Sequence, residues 1–412
     1  RDPSPSGGAA DGGPVVVAVF DGRPAILFAY AAALPPASVL LLLGGGEDSG
    51  IDFARIGCRR DGRVVRRIDT LDTLRAEGAA PHGGGGGPLR RRPRPRRPLR
   101  SVFLGDLSYT SYYRAGVAQA ASLLGAWHRD VDLRSGDAAL IDRQVREAAP
   151  DLIWTHMLLW PPPGALPLYE IVGLAERWRQ GGAIVLLHDG DPRPAPRFPY
   201  DVSACVDLAL LNHAFDRSVW GVPTLHWPYA AMTQDRLADP HLDYRADLMF
   251  GGLLRSNDGD LYDERTACLH RLVARCGLRA FPAPGEANTR LRTPEVAASC
   301  IAVLGFGRPE VPGWIDTRVL QYPGAGAILL HDDVHPEITS LVDEGSAPGA
   351  GHYLAVPRYD VDAIVAALDR LRRTPEAARR ALRERAFVHV QAHHTYTHRV
   401  QAVLDAFYEP EA

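Results

Sequence analysis

The residues best suited to chemistry stand in short polar clusters directly after apolar runs. SVFLGD ends on Asp106, DLIWTH on His156, and AIVLLHD on His188 and Asp189; ADLMFGG ends on Gly251 and Gly252, and AILLHD on His331 and Asp332. Carboxylates and imidazoles in such places can accept a proton from a hydroxyl or orient a polar substrate. Paired glycines let the backbone approach a diphosphate, and Arg255 supplies a cation close by, although a plain tight turn explains FGG equally well. The stretch 316–333, DTRVLQYPGAGAILLHDD, places Arg318 in the first turn of a short helix and Gln321 one turn later. A small-residue run with Gly324 and Gly326 then leads into the strand that delivers His331 and Asp332. Free amides at a helix start, with an arginine beside them, can hold a phosphate. A helix cap followed by an ordinary turn is the plainer alternative.

Composition narrows the chemistry further. All 46 basic residues are arginine, so lysine-dependent phosphate loops, Schiff bases and Ser-Lys catalysis are excluded together. A net charge of -3 argues against duplex nucleic acid as a partner and favours small substrates. The five cysteines are scattered without a CxxC, which predicts neither a disulfide framework nor a thiolate zinc site. DGD at 189–191 has the form of a metal-binding DxD, and His393, His394 and His398 crowd one segment. The first lies away from the 316–333 cluster and the second lacks a carboxylate or thiolate companion, so no metal is expected. GxGxxG is missing after SVFLGD, which counts against NAD, and no cofactor is expected. The sequence contains neither an apolar window long enough to span a bilayer nor a signal pattern, which predicts a cytoplasmic protein with no integral membrane segment.

Elements of alternating type must hold these clusters in place. Strands at 101–106, 127–131, 151–156, 183–189 and 206–212 alternate with helices at 112–125, 138–148 and 165–180. A second series from 246 places strands at ADLMFGG, LRAFPA, IAVLGF, AILLHD and HYLAV, with helices at 261–276, 293–299 and 316–323 and three more to the end. Such alternation predicts two doubly wound parallel α/β domains, with ligands beyond the carboxyl ends of the strands. The domain at 101–230 is joined by a Pro-rich aromatic crossing to the domain at 246–390, and a terminal segment at 391–412 follows. Residues 1–78 form a small α/β extension of unassigned role. Residues 79–100, with five consecutive glycines and seven arginines, read as a disordered, solvated linker.

The C-terminal motifs, DLMFGGLLRSNDGDLYDERTACLHRLVARCGLRAF, DTRVLQYPGAGAILLHDD and the run from HYLAV to HTYTHRV, resemble the CgeB-like (spore-maturation-type) glycosyltransferases. The resemblance implies a GT-B enzyme with two Rossmann-like domains facing a cleft and a nucleotide-diphosphate sugar as co-substrate in the second. It also implies donor-side places for Arg318, Gln321, Gly326 and Asp332, to which the strand-end reading adds Gly251, Gly252, Arg255, Gly324 and His331. Gln321 replaces the family's Glu and carries no charge. His394, Thr395, Tyr396 and Arg399 match a closing motif, which implies a terminal helix crossing back to the first domain. Acceptor-side candidates are Asp189, His156 and Asp106. The expected activity is metal-independent glycosyl transfer to a small-molecule, natural-product or envelope acceptor, with homodimerisation left open. A sugar-nucleotide 2-epimerase, giving product from nucleotide sugar alone, and a catalytically degenerate nucleotide-sugar-binding protein are the alternatives.

Overall fold

The structure, a computed structural model, describes residues 89, 91–107, 111–156, 166, 168–189, 204–212, 222–239, 244–252, 263–281, 293–307, 311, 313–332, 338 and 351–409. The proposed extension at 1–78, together with Arg255, Gly190 and Asp191, lies outside them.

Two parallel sheets organise the chain. The first contains β1 (Arg100–Gly105), β2 (Trp127–Asp132), β3 (Leu152–His156), β4 (Ile184–Asp189), β5 (Leu208–Leu211) and β6 (Thr224–His226), in the order β2-β1-β3-β4-β5-β6. The second contains β7 (Leu248–Gly251), β8 (Arg279–Phe281), β9 (Ala302–Gly305), β10 (Leu329–His331) and β11 (Tyr353–Ala355), in the order β11-β10-β9-β7-β8. Counted from each sheet's own first strand, the second runs 2-1-3-4-5 and the first runs the same way with a sixth strand added at the edge. The chain therefore reverses direction between β1 and β3 and again between β7 and β9, and such switch points open a crevice at the carboxyl ends of the strands. Asp106 and His156 flank the first crevice; Gly251 and Phe306 flank the second.

The two tandem doubly wound domains expected from the strand rhythm are present. Helices α1 (Ser111–Leu123), α2 (Ala138–Ala148) and α3 (Leu168–Gln180) surround the first sheet. Helices α4 (Asp263–Cys276), α5 (Thr293–Ala298), α6 (Thr317–Gln321) and α7 (Val361–Arg373) surround the second, and α8 (Glu376–His393) and α9 (Tyr396–Phe407) close the chain. The central strands β1, β3, β4, β5, β7, β9 and β10 are apolar runs because both faces are covered, whereas β2, β6 and β8 are more exposed. In β4, Val185 and Leu187 pack with Ile141 of α2 and Ile171 of α3, while Ile184 and Leu186 lie in the core that includes Val117 of α1. Asp137 and Asp360 start α2 and α7 by accepting from Leu140 N and Ala363 N, satisfying amides that a helix start leaves free.

Helix α9 shares its core with the first sheet rather than the second. Tyr396, Val400, Val403, Leu404 and Phe407 pack with Phe103, Val117 and Trp154. A glycine makes this contact close: a side chain at Gly116 of α1 would overlap the Tyr396 ring. Thr395 caps α9 within a reciprocal capping box with His398, and Ala231 brackets the turn by donating to His394 O and accepting from Tyr396 N.

The arginine-rich stretch differs from the expected disordered linker over its described part, 91–100. Arg92 exchanges backbone bonds with the end of α9, donating to Phe407 O and accepting from Glu409 N. Arg97 makes two hydrogen bonds to Asp151, at 2.7 and 2.9 Å, and Leu99 is buried in the core. Composition predicted solvation because it does not show that Leu89 and Leu99 have an apolar face to join, or that Asp151 stands ready for a bidentate arginine.

Candidate functional site

The carboxyl ends of the first sheet bring together an aromatic and imidazole layer. Register pairs His156 of β3 with His188 of β4, so both rings emerge on the same face, 5.1 Å apart. Tyr113 of α1 stacks on His188 at 4.4 Å and lies 5.1 Å from His156, while Tyr229 stands edge-on to His188 at 5.3 Å and Tyr396 is 5.7 Å from Tyr113. Burial drives the His156 pKa down to about 3, against an opposing pull from the Asp106 charge, so the ring is neutral at ordinary pH. Its Nδ1 is buried without a hydrogen-bond partner. Burial likewise pushes the Tyr113 phenol far up.

The three acceptor-side candidates are placed differently. Asp106 leaves β1 at the switch point, within reach of His156 electrostatically and 3.4 Å from Arg134. His156 is fully enclosed. Asp189 follows His188 by one residue, and strand alternation turns it toward the opposite face, so the structure does not bring it into the layer.

The second sheet's carboxyl ends carry charge. Asp316 caps α6 by accepting from Arg318 N and pairs with the Arg318 guanidinium, which also donates from Nε to Gly251 O at 2.8 Å and lies 4.8 Å over the Phe250 ring. Burial works against the Arg318 charge, but Asp316 and Tyr322 outweigh it and hold the pKa high. A side chain at Gly251 would overlap the Tyr322 hydroxyl, and Gly252, with φ of 147°, would bring one against the Arg318 guanidinium. Across the sheet, Asp332 accepts from Gly307 N at 2.6 Å and from Arg358 at 3.1 Å. Burial raises its pKa, opposed by His331, the Gly307 amide and Arg358. Tyr359, beneath the Arg358 guanidinium, holds a left-handed φ of 57°, a strained conformation that a bulky residue keeps only where its surroundings impose it.

The structure places several of the expected site residues in packed surroundings. The α6 start is occupied by Asp316, so its own carboxylate takes the place given to a phosphate. Gly324 and Gly326 serve packing: side chains there would meet Ala231 with Val390, and Leu237, and Gly326 closes the short 3-10 turn with φ of 89°. His331 is fully buried, its ring over Gly305 and its Nδ1 donating to Asp332 O at 2.6 Å, so it lies within the strand end rather than at an open surface. Gln321 is buried in α6. His389 stacks on His352 at 4.1 Å, with His393 and His394 close by. Among the described residues no group of three or more His, Cys, Asp or Glu is arranged to hold a metal, and no helix is long and apolar enough to cross a membrane.

The sequence reading missed Tyr113, Asn212, Asp316 and Arg358. Asp316 before TRV is an N-cap signal, and Arg358 follows a strand as the other clusters do, so both were recoverable. Asn212 was not: it is fully buried and joins the two ends, its Nδ2 donating to Ile315 O at 3.0 Å, one residue ahead of Asp316.

Residues 282–405 match the model of a family described as glycosyl transferase-like, less than a third of the chain but spanning Arg318, Asp332, Arg358 and the closing helices. No curated protein matches the sequence. Among solved structures, an alpha1,3-fucosyltransferase is similar with 11% identity over 79% of this chain and 97% of its own, at a TM-score of 0.39. A structure of OtsA without ligand gives 12% identity, 76% and 100% coverage and a TM-score of 0.43, and the glycotransferase of kitacinnamycin 14%, 75% and 99%, and 0.34. All three TM-scores are below 0.5, so these are recorded only as distant likenesses.

Proposed function

We propose that the protein is a GT-B glycosyltransferase that takes its donor, a nucleotide-diphosphate sugar, at the second sheet and a hydroxyl acceptor at the first, without a metal. The observation that carries this reading is the family match over 282–405. In this reading the donor diphosphate approaches the backbone at Gly251 and Gly252, and Arg318 and Arg358 neutralise the charge that develops on the leaving group. The acceptor hydroxyl loses its proton to Asp106, which lies at the β1/β3 switch point, while the enclosed His156 stays neutral nearby. Strand alternation sets both Asp106 and Asp189 on the face opposite that layer, and Asp106 is preferred for its place at the β1/β3 switch point.

Incubating the full chain with a panel of nucleotide sugars, with and without a chelator, tests the proposal. Release of one nucleoside diphosphate by slow hydrolysis, with water taking the sugar in place of the acceptor hydroxyl and chelation without effect, is the expected result; release from none of the panel would contradict it. A second reading, a nucleotide-sugar-binding protein of attenuated activity, is favoured by Gln321 standing where the resembling family carries a carboxylate. Under that reading Gln321→Glu raises turnover strongly; under the first it changes turnover little.

A further inference from the structure

The amino-terminal rim of the first sheet, at the far end of the strands from Asp106 and His156, carries a surface that glycosyl transfer does not use. Residues 91–100, RRPRPRRPLR, hold six arginines and no acid. Their course is fixed at three strand starts. Arg92 donates to Gly182 O at 2.8 Å ahead of β4, Arg97 grips Asp151 ahead of β3, and Leu99 O accepts from Trp127 N at 2.7 Å where β2 begins. Arg91 and Arg96 are exposed along this strap. Beside it stand two of the four exposed large apolar side chains among the described residues: Trp127, 42% exposed beneath the Arg100 guanidinium, and Leu123, 57% exposed at the end of α1.

We infer that this rim docks the protein on an anionic phospholipid surface, with the arginines meeting the headgroup phosphates and Trp127 and Leu123 entering the interfacial layer. Charge complementarity selects the occupant. Arginines near an anionic leaflet are attracted to it, and tryptophan settles at headgroup depth. A single tryptophan beside a leucine is a poor platform for nucleic-acid bases, which need aromatic rings interleaved with the cations. Docked this way, the carboxyl ends of the strands point away from the bilayer and stay open to water. The inference does not depend on which reaction the cleft performs.

Co-sedimentation of the full chain with vesicles of phosphatidylcholine alone, and of equimolar phosphatidylcholine and phosphatidylglycerol, tests it. Binding is expected only to the anionic vesicles and weakens as salt rises from about 0.1 M to about 0.5 M. Arg91→Gln with Arg96→Gln lowers vesicle affinity by about tenfold or more. Trp127→Ala lowers it as well, and Leu123→Ser, on a more exposed site, serves should the tryptophan variant fold poorly. The inference is overturned by equal binding to both vesicle types or to neither, or by vesicle binding that these variants leave unchanged. Preference for single-stranded RNA over vesicles would assign the rim to nucleic acid and overturn it too. So would a Trp127→Ala variant that loses self-association while keeping vesicle binding.

Discussion

The two sheets share a strand order yet end in opposite chemistry. At the first, Tyr113, His156, His188, Tyr229 and Tyr396 form a layer of rings, with His156 held neutral by burial. At the second, Arg318 with Asp316 beside Gly251, and Arg358 with Asp332 across the sheet, form two ion pairs. A common topology supplies two crevices, and the side chains at the strand ends make them chemically unlike: stacked rings and a neutral imidazole at the first, two ion pairs at the second. Asn212 joins the two by hydrogen-bonding next to Asp316.

The largest effect should come from the charged end. Arg318→Gln leaves Asp316, only 2% exposed, without its cation, and breaking such a pair costs about 3–5 kcal/mol in urea unfolding. Asp316→Asn combined with Arg318→Gln should recover most of that stability and still fail to bind a nucleoside diphosphate. Recovery of binding in the double variant would remove the anionic role from this end.

The aromatic end is broken by volume. Gly116→Ala forces a methyl group into the Tyr396 ring, and overpacking of this kind costs about 1–3 kcal/mol, seen as a lower thermal midpoint. An unchanged midpoint would detach α9 from the first core.

A smaller effect follows from the neutral histidine. The folded pKa of His156, about 3, lies below its ordinary value of 6.5, so the unfolded chain binds more protons between these values and stability falls as pH drops from 6.5 toward 3. His156→Phe should flatten that part of the acid limb in pH-dependent melts. A slope equal to the parent's would mean that the ring is protonated within the fold.

The smallest effect belongs to the rim. Arg97 is half exposed, and Arg97→Ala should cost only about 0.2–1 kcal/mol by chemical denaturation. A loss as large as that of Arg318→Gln would erase the contrast between surface and buried ion pairs.

The sequence made much of this fold legible because most buried parallel strands are short apolar runs; ten of the eleven described strands lie where strands were expected, β2 (WHRDVD) from the rhythm of its neighbours rather than from its own composition. The exception is β6, three half-buried residues inside the Pro-rich crossing, too short to show a period. The strand-end rule found Asp106, His156, Gly251 and Asp332 without knowledge of strand order. It could not rank them, because the reversals at β1/β3 and β7/β9 exist only once the sheets assemble. Nor could it show that His331 and Asp332 turn inward, or that Gly324 and Gly326 are filled by Ala231, Val390 and Leu237. Those outcomes depend on contacts with residues distant in sequence, and glycine reads alike whether it admits a ligand or a neighbouring side chain. Tyr113 had no signal at all, being one aromatic residue on an ordinary helix until the two histidines stacked around it.

The most direct test of the division between the two ends is a thermal-shift titration of the parent and Arg318→Gln with UDP, GDP, TDP and CDP, with and without magnesium. A ligand at a hundred times its dissociation constant stabilises by about 2.7 kcal/mol. Selective stabilisation of the parent by one nucleoside diphosphate, independent of magnesium and absent in the variant, is the predicted result. Stabilisation by none of them, or an equal response in both proteins, would contradict the assignment of the second sheet to the donor.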